Sequence, residues 1–300
     1  MAGGDQQPAG DDRAVPPRRS PFGGRVVAAV GRSGPLCAGI DPSRELLLHW
    51  GLPDDAQGLR RFVRGCLDAF AGVVGIVKPQ LAFFERHGAA GLGVFEELIA
   101  AAADAGLLVI ADAKRGDIGS TMAAYADAWL GEGSPLAADA VTAVPYLGLG
   151  ALDPVFDTAA AQGRGVLVVV RSSNPEGRPV QRARTDDGRG PSVEDALLAE
   201  IAARNGPGGV AGAALGAVVG ATLDTSAFPL AEMGGPVLAP GVGAQGATAV
   251  DVGRRFGDCP PGSVLPSASR SLLEAGPDTA PLRRAAAQLQ EELVAALPMP

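Results

Sequence analysis

A buried strand followed directly by a helix is indicated by residues 107–130, LLVIADAKRGDIGSTMAAYADAWL. The run Leu107–Asp112 is short, apolar and rich in branched side chains, which favours a strand. Residues Ile118–Leu130 have the alanine-rich amphipathic composition of a helix. Asp112, Lys114 and Asp117 lie at the junction. The stretch therefore predicts a βα unit with charged side chains at the carboxyl end of its strand.

The same alternation of short apolar runs and amphipathic segments extends along the chain. Strands are predicted at Leu36–Asp41, Val73–Lys78, Leu107–Asp112, Ala140–Val144, Val166–Arg171, Leu215–Ala221, Pro236–Pro240 and Ser263–Ser267. Helices are predicted at Asp54–Ala71, Gly91–Ala105, Ile118–Leu130, Leu149–Gln162, Val193–Asn205, Ala247–Phe256 and Pro281–Leu297. Eight strands with intervening helices favour an α/β fold, a single-domain TIM (β/α)8 barrel. An open doubly wound sheet is the alternative that the pattern leaves possible.

Two segments depart from this alternation. Residues 1–24 are rich in glycine, proline and charge, which predicts a flexible amino-terminal tail, with residues 25–300 forming the barrel domain. Residues Ser172–Pro191, SSNPEGRPVQRARTDDGRGP, follow the fifth predicted strand and contain four arginines. An irregular loop of this length is often a lid over an active site, although a solvated surface loop is the alternative.

Composition argues against several classes of protein. The formal net charge is −8, whereas a nucleic-acid binder normally carries a basic face. The three cysteines are far apart, and His49 and His87 are isolated, so we expect no disulfide framework and no metal site. No signal peptide or apolar run of membrane-spanning length is apparent. We therefore expect a cytoplasmic protein with no nucleic-acid or membrane partner.

The lysines are the most informative residues. Of 25 basic residues only two are lysines, Lys78 and Lys114, and both lie at the carboxyl ends of predicted strands. An ammonium group can give up a proton, whereas a guanidinium effectively cannot. A surface ion pair would account for Asp112 with Lys114, and helix capping would account for Asp117. Neither explanation accounts for a second lysine at the neighbouring strand end.

Together Lys78, Asp112, Lys114 and Asp117 predict an alternating array of ammonium and carboxylate groups at the barrel mouth. Neighbouring carboxylates keep both lysines charged. Such an array can place negative charge beside a departing carboxylate and present a proton to the carbon that it leaves. The sequence therefore predicts an enzyme that acts through its own charges.

Several segments resemble the family of orotidine 5′-phosphate decarboxylases, and in particular its bacterial subgroup with larger chains. The segments are Asp112-Ala-Lys-Arg-Gly-Asp-Ile-Gly-Ser-Thr121, Val77-Lys-Pro-Gln-Leu-Ala-Phe-Phe-Glu85, Ala38-Gly-Ile-Asp-Pro42, Pro145-Tyr-Leu-Gly148, Ser173-Asn-Pro175, Pro240-Gly-Val-Gly-Ala-Gln-Gly246 and Ser269-Arg270. The resemblance implies a barrel enzyme that converts orotidine monophosphate to UMP and CO₂ without a cofactor.

The resemblance also implies a role for each charged residue. Lys114 would donate a proton to C6 of the pyrimidine, and Asp112 would lie against the substrate carboxylate. Lys78 would bridge this carboxylate, the ribose and the aspartates. Asp117 and Thr121 would reach into the site of a second subunit, so the enzyme would be a homodimer.

The remaining contacts implied by the family are to the sugar and the base. Asp41 would bind the ribose hydroxyls, and Ser173 would bind the pyrimidine edge. Val144 departs from the family pattern, which has a more polar residue there. The departure concerns the end of the fourth strand and none of the four charged residues.

Phosphate binding is predicted after the last two strands. The segment Gly241-Val-Gly-Ala-Gln-Gly246 follows the seventh strand and is expected to open a helix, so its amides could face an anion, and Arg270 could clamp it. In the family, the residues matching Gln245 and Arg270 hold the substrate phosphate. The segment also spells GxGxxG, but a dinucleotide site needs an acidic residue about 20 positions later, where Pro266 stands.

Two other functions remain open. A metal-dependent keto-gulonate phosphate decarboxylase shares the Asp-x-Lys-x-x-Asp motif, but it would need Mg²⁺ and would not require Lys78. A non-catalytic nucleotide-binding module would keep the pocket without the reaction. The complete array of lysines and aspartates disfavours such a module.

Overall fold

The eight strands form one closed parallel barrel in the computed structural model, which describes residues 19–223 and 228–300. The strands are β1 Cys37–Ile40, β2 Ile76–Pro79, β3 Leu108–Arg115, β4 Ala140–Ala143, β5 Gly165–Arg171, β6 Leu215–Val219, β7 Val237–Pro240 and β8 Val264–Ala268. Each strand pairs in parallel with the next, and β8 closes the ring on β1 through the register Cys37↔Ser267. The predicted TIM barrel is confirmed, and an open sheet is excluded.

The helices surround the barrel. They are α1 Phe22–Ser33, α2 Arg44–His49, α3 Ala56–Phe70, α4 Ala82–Glu85, α5 Gly88–Asp104, α6 Gly119–Leu130, α7 Asp153–Gln162, α8 Arg178–Gln181, α9 Val193–Asn205, α10 Gly209–Gly212, α11 Ala249–Phe256, α12 Arg270–Leu273 and α13 Thr279–Ala296. All seven predicted helices are present, with ends shifted by a few residues. The prediction missed α1, α2 and four one-turn helices, α4, α8, α10 and α12. Within the described residues, no helix combines the length and the apolar character needed to cross a membrane.

The barrel interior is closed at its amino-terminal end by α1. One buried residue from every strand contributes to the interior cluster: Cys37, Ile76, Ile110, Ala140, Leu167, Val218, Leu238 and Leu265. Phe22 and Val26, one helical turn apart on α1, are both fully buried against this cluster. Arg25 fixes the helix in place by pairing with Asp139 at 2.5 Å and donating to the carbonyl of Gly163 at 2.8 Å.

The predicted tail boundary at residue 24 is therefore wrong. Residues 1–18 lie outside the described residues, but α1 already begins at Phe22. The glycines that suggested flexibility have a packing role instead. A Cβ at Gly23 would overlap the carbonyl oxygen of Val210, and one at Gly24 would lie 2.9 Å from the carbonyl oxygen of Ala211. Both glycines let α1 pack closely against α10.

The segment after β5 is less irregular than predicted. Residues Ser172–Pro191 contain a 3₁₀ turn at Pro175–Gly177, the helix α8 and a second 3₁₀ turn at Asp186–Gly188. An isolated antiparallel bridge joins Arg184 to Ser192. The prediction of one long irregular loop is wrong, because local turns satisfy much of its backbone.

Replacing Phe22 by alanine should lower the free energy of unfolding by about 3–5 kcal/mol, because it removes a fully buried ring from the barrel floor. Chemical denaturation monitored by circular dichroism measures this change. Leu48→Ala is the control, since that side chain is 56% exposed and its loss should cost less than about 0.5 kcal/mol. Equal effects of the two substitutions would show that α1 is not part of the folded core.

Candidate active site

One cavity opens at the carboxyl ends of the strands and collects most of the predicted site. The predicted residues that line it are Asp41, Lys78, Asp112, Lys114, Ser173, Gln245 and Arg270. They come from the ends of β1, β2, β3, β5, β7 and β8, because parallel strands present their carboxyl ends at the same edge of a barrel. Lys78 and Lys114 therefore lie in the same cavity, as predicted.

The Asp112 carboxylate joins the two lysines. Lys78 Nζ lies 3.0 Å from Asp112 Oδ2, and Lys114 Nζ lies 2.7 Å from Asp112 Oδ1. The side chain of Lys78 is only 6% exposed, whereas that of Lys114 is 48% exposed and faces the cavity. Lys78 is therefore the buried partner that fixes Asp112, and Lys114 is the ammonium group that a ligand can reach.

These contacts keep Lys78 and Asp112 charged. Burial disfavours the ammonium form of Lys78, but the carboxylates of Asp112 and Asp41 outweigh that effect and raise the pKa of Lys78 above its ordinary value. Burial likewise acts to raise the pKa of Asp112, but the ammonium groups of Lys78 and Lys114 lower it to about 2. Asp112 is thus ionised across the neutral pH range.

Lys114 has an unusual backbone conformation. Its φ is +49°, in the left-handed region that L residues other than glycine seldom adopt, at a cost of order 1–3 kcal/mol. It lies in an irregularity of β3, where the pairing with β4 shifts register between Ala111 and Arg115. Such bulges re-aim side chains next to active sites.

Two residues that the sequence analysis did not single out complete this cluster. Thr142 on β4 donates its hydroxyl to Asp112 Oδ1 at 3.0 Å. Gln80 bridges the pair when its amide nitrogen faces Asp112, so that its oxygen accepts from Lys114 Nζ at 3.2 Å. Gln80 could have been found from its spacing, since it lies two residues beyond Lys78. Thr142 could have been found as the one polar residue of an apolar strand.

Asp41 lies next to this cluster, at the end of β1. Its Oδ1 is 3.9 Å from Lys78 Nζ and is buried with no hydrogen-bond donor among the described residues. A buried carboxylate oxygen that lacks a donor is costly, and a ligand hydroxyl group would satisfy it. The geometry is compatible with the expected contact to a sugar hydroxyl.

The glycine segment after β7 forms a tight turn. Gly243 and Gly246 have φ of +75° and +93°, and the amide of Gly246 donates to the carbonyl of Gly243 at 2.7 Å. The expectation that this segment opens a helix is wrong, because α11 begins at Ala249 and Thr248 caps it in a capping box. Gly246 does not line the cavity, and its role in binding remains a prediction. Gln245 and Arg270 do line it.

The segment after β5 is connected to this turn and to the barrel. Ser173 Oγ donates to Gln245 Oε1 at 3.0 Å, so the loops after β5 and β7 are in contact. Glu194 on α9 lies 3.2 Å from Arg171 Nε and 3.6 Å from Arg182 Nε. Burial raises the pKa of Glu194, and both arginines oppose that shift.

Asp117 and Thr121 lie outside the cavity lining. Asp117 accepts from the amide of Ile118, the N-cap residue of α6, and no side chain caps that helix. The capping alternative for Asp117 is therefore wrong.

Two large side chains in the loops around this end of the barrel are exposed: Ile118 is 61% exposed and Tyr146 is 79% exposed. Val144 also lies outside the cavity lining, and its amide donates to the carbonyl of Arg115 at 2.8 Å.

Comparison with known proteins identifies the family. Residues 34–285 match the model of the orotidine 5′-phosphate decarboxylase / HUMPS family. Orotidine 5′-phosphate decarboxylase from Salinispora tropica is 52% identical over 276 residues, which cover 92% of this chain and 98% of that protein. The enzyme of the same name from Streptomyces coelicolor is 50% identical, with 91% and 97% covered.

Solved structures agree with this assignment. A crystal structure from Streptomyces avermitilis, provisionally assigned as an orotidine 5′-phosphate decarboxylase, superposes with a TM-score of 0.88 at 49% identity, covering 93% of this chain and 97% of that chain. An OMP decarboxylase from Leishmania donovani gives a TM-score of 0.70 at 29% identity, with 93% and 98% covered. The chain belongs to the orotidine 5′-phosphate decarboxylase / HUMPS family.

The Asp112→Asn variant should titrate Lys78 at a lower pH than the wild type, because burial then dominates over the single remaining carboxylate of Asp41. Nuclear magnetic resonance of protein labelled at lysine Cε measures this directly. The chain contains only two lysines, so two signals are expected, and Lys114→Arg assigns them. Asp54→Asn removes the same charge from a surface pair with Arg86 and should leave Lys78 unchanged. Identical titration of Lys78 in Asp112→Asn and the wild type would contradict the ion pair.

Proposed function

We propose that this member of the family is an orotidine 5′-phosphate decarboxylase, which converts orotidine monophosphate to UMP and CO₂ in pyrimidine biosynthesis. The observation that carries the proposal is the meeting of the chain's two lysines on one carboxylate inside the barrel mouth, 3.0 and 2.7 Å from its oxygens. Relatives of that name at 50–52% identity over almost the whole chain support the same activity.

Lys114 is the proton donor in this proposal. When the bond between C6 and the carboxylate breaks, its electron pair remains on C6 and takes a proton from Lys114 Nζ. The attraction between the ammonium group and C6 grows as negative charge develops there, so it lowers the barrier rather than only tightening binding. Each tenfold of rate requires about 1.4 kcal/mol of this preference.

Asp112 and Lys78 set the charge around the reacting carboxylate. Asp112 stays ionised because two ammonium groups lower its pKa to about 2. A substrate carboxylate placed against it is repelled, and that repulsion disappears as neutral CO₂ forms. Lys78 is buried and bound to Asp112, so it prevents this negative charge from being neutralised by a proton.

The phosphate and ribose provide binding energy away from C6. Arg270 and Gln245 line the same cavity, and Arg270 can clamp the phosphate with two parallel hydrogen bonds. Ser173 contacts Gln245, so phosphate binding is coupled to the segment after β5 that covers the pyrimidine. Asp41 binds the ribose hydroxyls through the oxygen that accepts no hydrogen bond from the described residues. Binding energy from these remote groups contributes to catalysis by ordering the site.

A second copy of the chain completes each site. Asp117 and Thr121 lie outside the cavity of their own chain, which supports the expectation that they serve the site of a partner. The neighbouring side chains of Ile118, Tyr146 and Leu147 are 61%, 79% and 54% exposed, an apolar surface that a homodimer would cover.

The two alternative functions fit the site less well. A magnesium ion between Asp41 and Asp112 would need the space that Lys78 Nζ occupies, 3.9 and 3.0 Å from their oxygens. A binding module would have no use for an ammonium group held by a charged carboxylate.

The free, buried cysteines Cys37, Cys66 and Cys259 are compatible with the expected cytoplasmic location.

Lys114→Ala should abolish decarboxylation while retaining measurable affinity for UMP, because the proton donor is lost and the phosphate and ribose contacts remain. The fall in absorbance as orotidine monophosphate is consumed, with EDTA present, measures activity, and calorimetry measures UMP binding. Arg60→Ala, on the outer surface of α3, is the control with full activity. Residual turnover of Lys114→Ala near the wild-type rate would refute the proton-donor role. Loss of wild-type activity in EDTA would favour the metal-dependent alternative.

Mixing Lys114→Ala with Asp117→Ala should restore activity if Asp117 serves the partner's site. Each mixed dimer then has one intact site and one doubly altered site. Random exchange of subunits should yield about a quarter of wild-type activity. A mixture of Lys114→Ala with Asp112→Ala should stay inactive, because both residues serve the same site. Failure of the first mixture to recover activity after subunit exchange would place Asp117 in its own chain's site.

A further inference from the structure

Thr142 is a buried polar residue of the barrel that the mechanism above does not use. It lies on β4 between Val141 and Ala143, and it is 1% exposed. Its neighbours along the strand are apolar, so the packing around β4 does not require a hydroxyl group. A buried hydroxyl must be hydrogen-bonded to offset its lost hydration, so its partners indicate its purpose.

The hydroxyl of Thr142 contacts both members of the reactive pair. The amide nitrogen of Lys114 lies 2.9 Å from Thr142 Oγ1, and Asp112 Oδ1 lies 3.0 Å from it. The direction of both bonds is fixed by chemistry. An amide can only donate, so Oγ1 accepts from Lys114, and its own proton is left to be donated to the carboxylate of Asp112.

The register of the barrel explains why Lys114 needs this acceptor. β3 and β4 pair at Ala111↔Val141 and again at Arg115↔Ala143, so three residues of β3 lie opposite Thr142 alone. The segment from Asp112 to Lys114 therefore bulges out of the ladder with β4, although Asp112 keeps a parallel bridge to Gln80 on its other side. Within this bulge, the Thr142 side chain accepts a hydrogen bond from the amide of Lys114.

The bulge also places Lys114 at its φ of +49°. A conformation that is intrinsically disfavoured persists only where surrounding contacts hold it. The bond from the Lys114 amide to Thr142 is such a contact, and it acts at the residue that carries the strain.

We propose that Thr142 is a positioning residue that holds the Lys114 backbone in its left-handed conformation and orients Asp112 through the same hydroxyl. The inference rests on the proposed decarboxylation, because it concerns where the ammonium group stands relative to C6. Thr142 acts through Lys114 and Asp112 and does not line the cavity itself. Its effect should therefore fall on turnover and leave the binding of product unchanged.

Thr142→Val tests this directly, because valine keeps the shape and removes both hydrogen bonds. We expect kcat to fall about tenfold or more, since a small displacement of the proton donor is costly to the reaction. KM and the dissociation constant for UMP should stay within about threefold, because the phosphate and ribose contacts are not touched. Thr142→Ser restores the hydroxyl and should recover most of the lost turnover.

Thr158→Val is the matched control. It removes a threonine hydroxyl that donates to the carbonyl of Pro154 at 3.0 Å on α7, remote from the cavity, and its kcat should match the wild type. Melting temperatures of all variants are measured beside the kinetics. If Thr142→Val does not fold, Thr142→Ala is measured in its place.

The outcomes separate this inference from the proposed function. A wild-type kcat in the folded Thr142→Val or Thr142→Ala variant overturns the positioning role while the proposed function stands. A loss of turnover that Thr142→Ser does not recover, or that is matched by an equal loss of UMP affinity, overturns it as well. Absence of CO₂ release by the wild-type protein would refute the proposed function itself.

Discussion

The carboxylate of Asp112 is the group on which the site depends. It is almost fully buried, and it stays charged only because the ammonium groups of Lys78 and Lys114 lie against its two oxygens. A buried ion pair often adds little net stability to a protein. Removing one partner nevertheless destabilises the fold strongly, because the charge that remains is buried and uncompensated. The three side chains therefore act as a unit, and the positions of β2 and β3 must be accurate enough to bring them together.

The two ends of the barrel contribute to that accuracy in different ways. At the amino-terminal end, α1 covers the interior cluster to which every strand contributes one residue. At the carboxyl end, strand ends and the loops that follow them line one cavity, in which charged side chains such as Asp112 and Lys114 lie beside apolar ones such as Leu238. The amino-terminal end of the barrel thus contributes to stability, and the carboxyl-terminal end carries the candidate active site, as is usual in this fold.

The sequence alone could predict all eight strands, because their apolar runs are short and regularly separated. It also predicted seven residues that line one cavity, since lysines and aspartates at consecutive strand ends must converge in a barrel. It could not predict the role of Gly23 and Gly24, because glycine in a flexible tail and glycine at a close helix contact read identically. The residue Thr142 could have been singled out as the one polar residue of an apolar strand, but its contact with the Lys114 amide could not. The register shift that brings this hydroxyl to the Lys114 amide is a property of two paired strands, and no single segment encodes it.

The distribution of amino groups also determines how the protein responds to chemical modification. The strongly basic side chains of this sequence outside the cavity are all arginines, because its only two lysines, Lys78 and Lys114, both line the cavity. An acylating reagent directed at amines thus finds the amino terminus and the accessible Lys114, which is 48% exposed. Coupling to an amine-reactive resin, or fluorescent labelling through succinimidyl esters, would therefore modify Lys114, the proposed proton donor, because the chain has no surface lysine to react instead. Attachment through an added cysteine or a terminal tag is the compatible route.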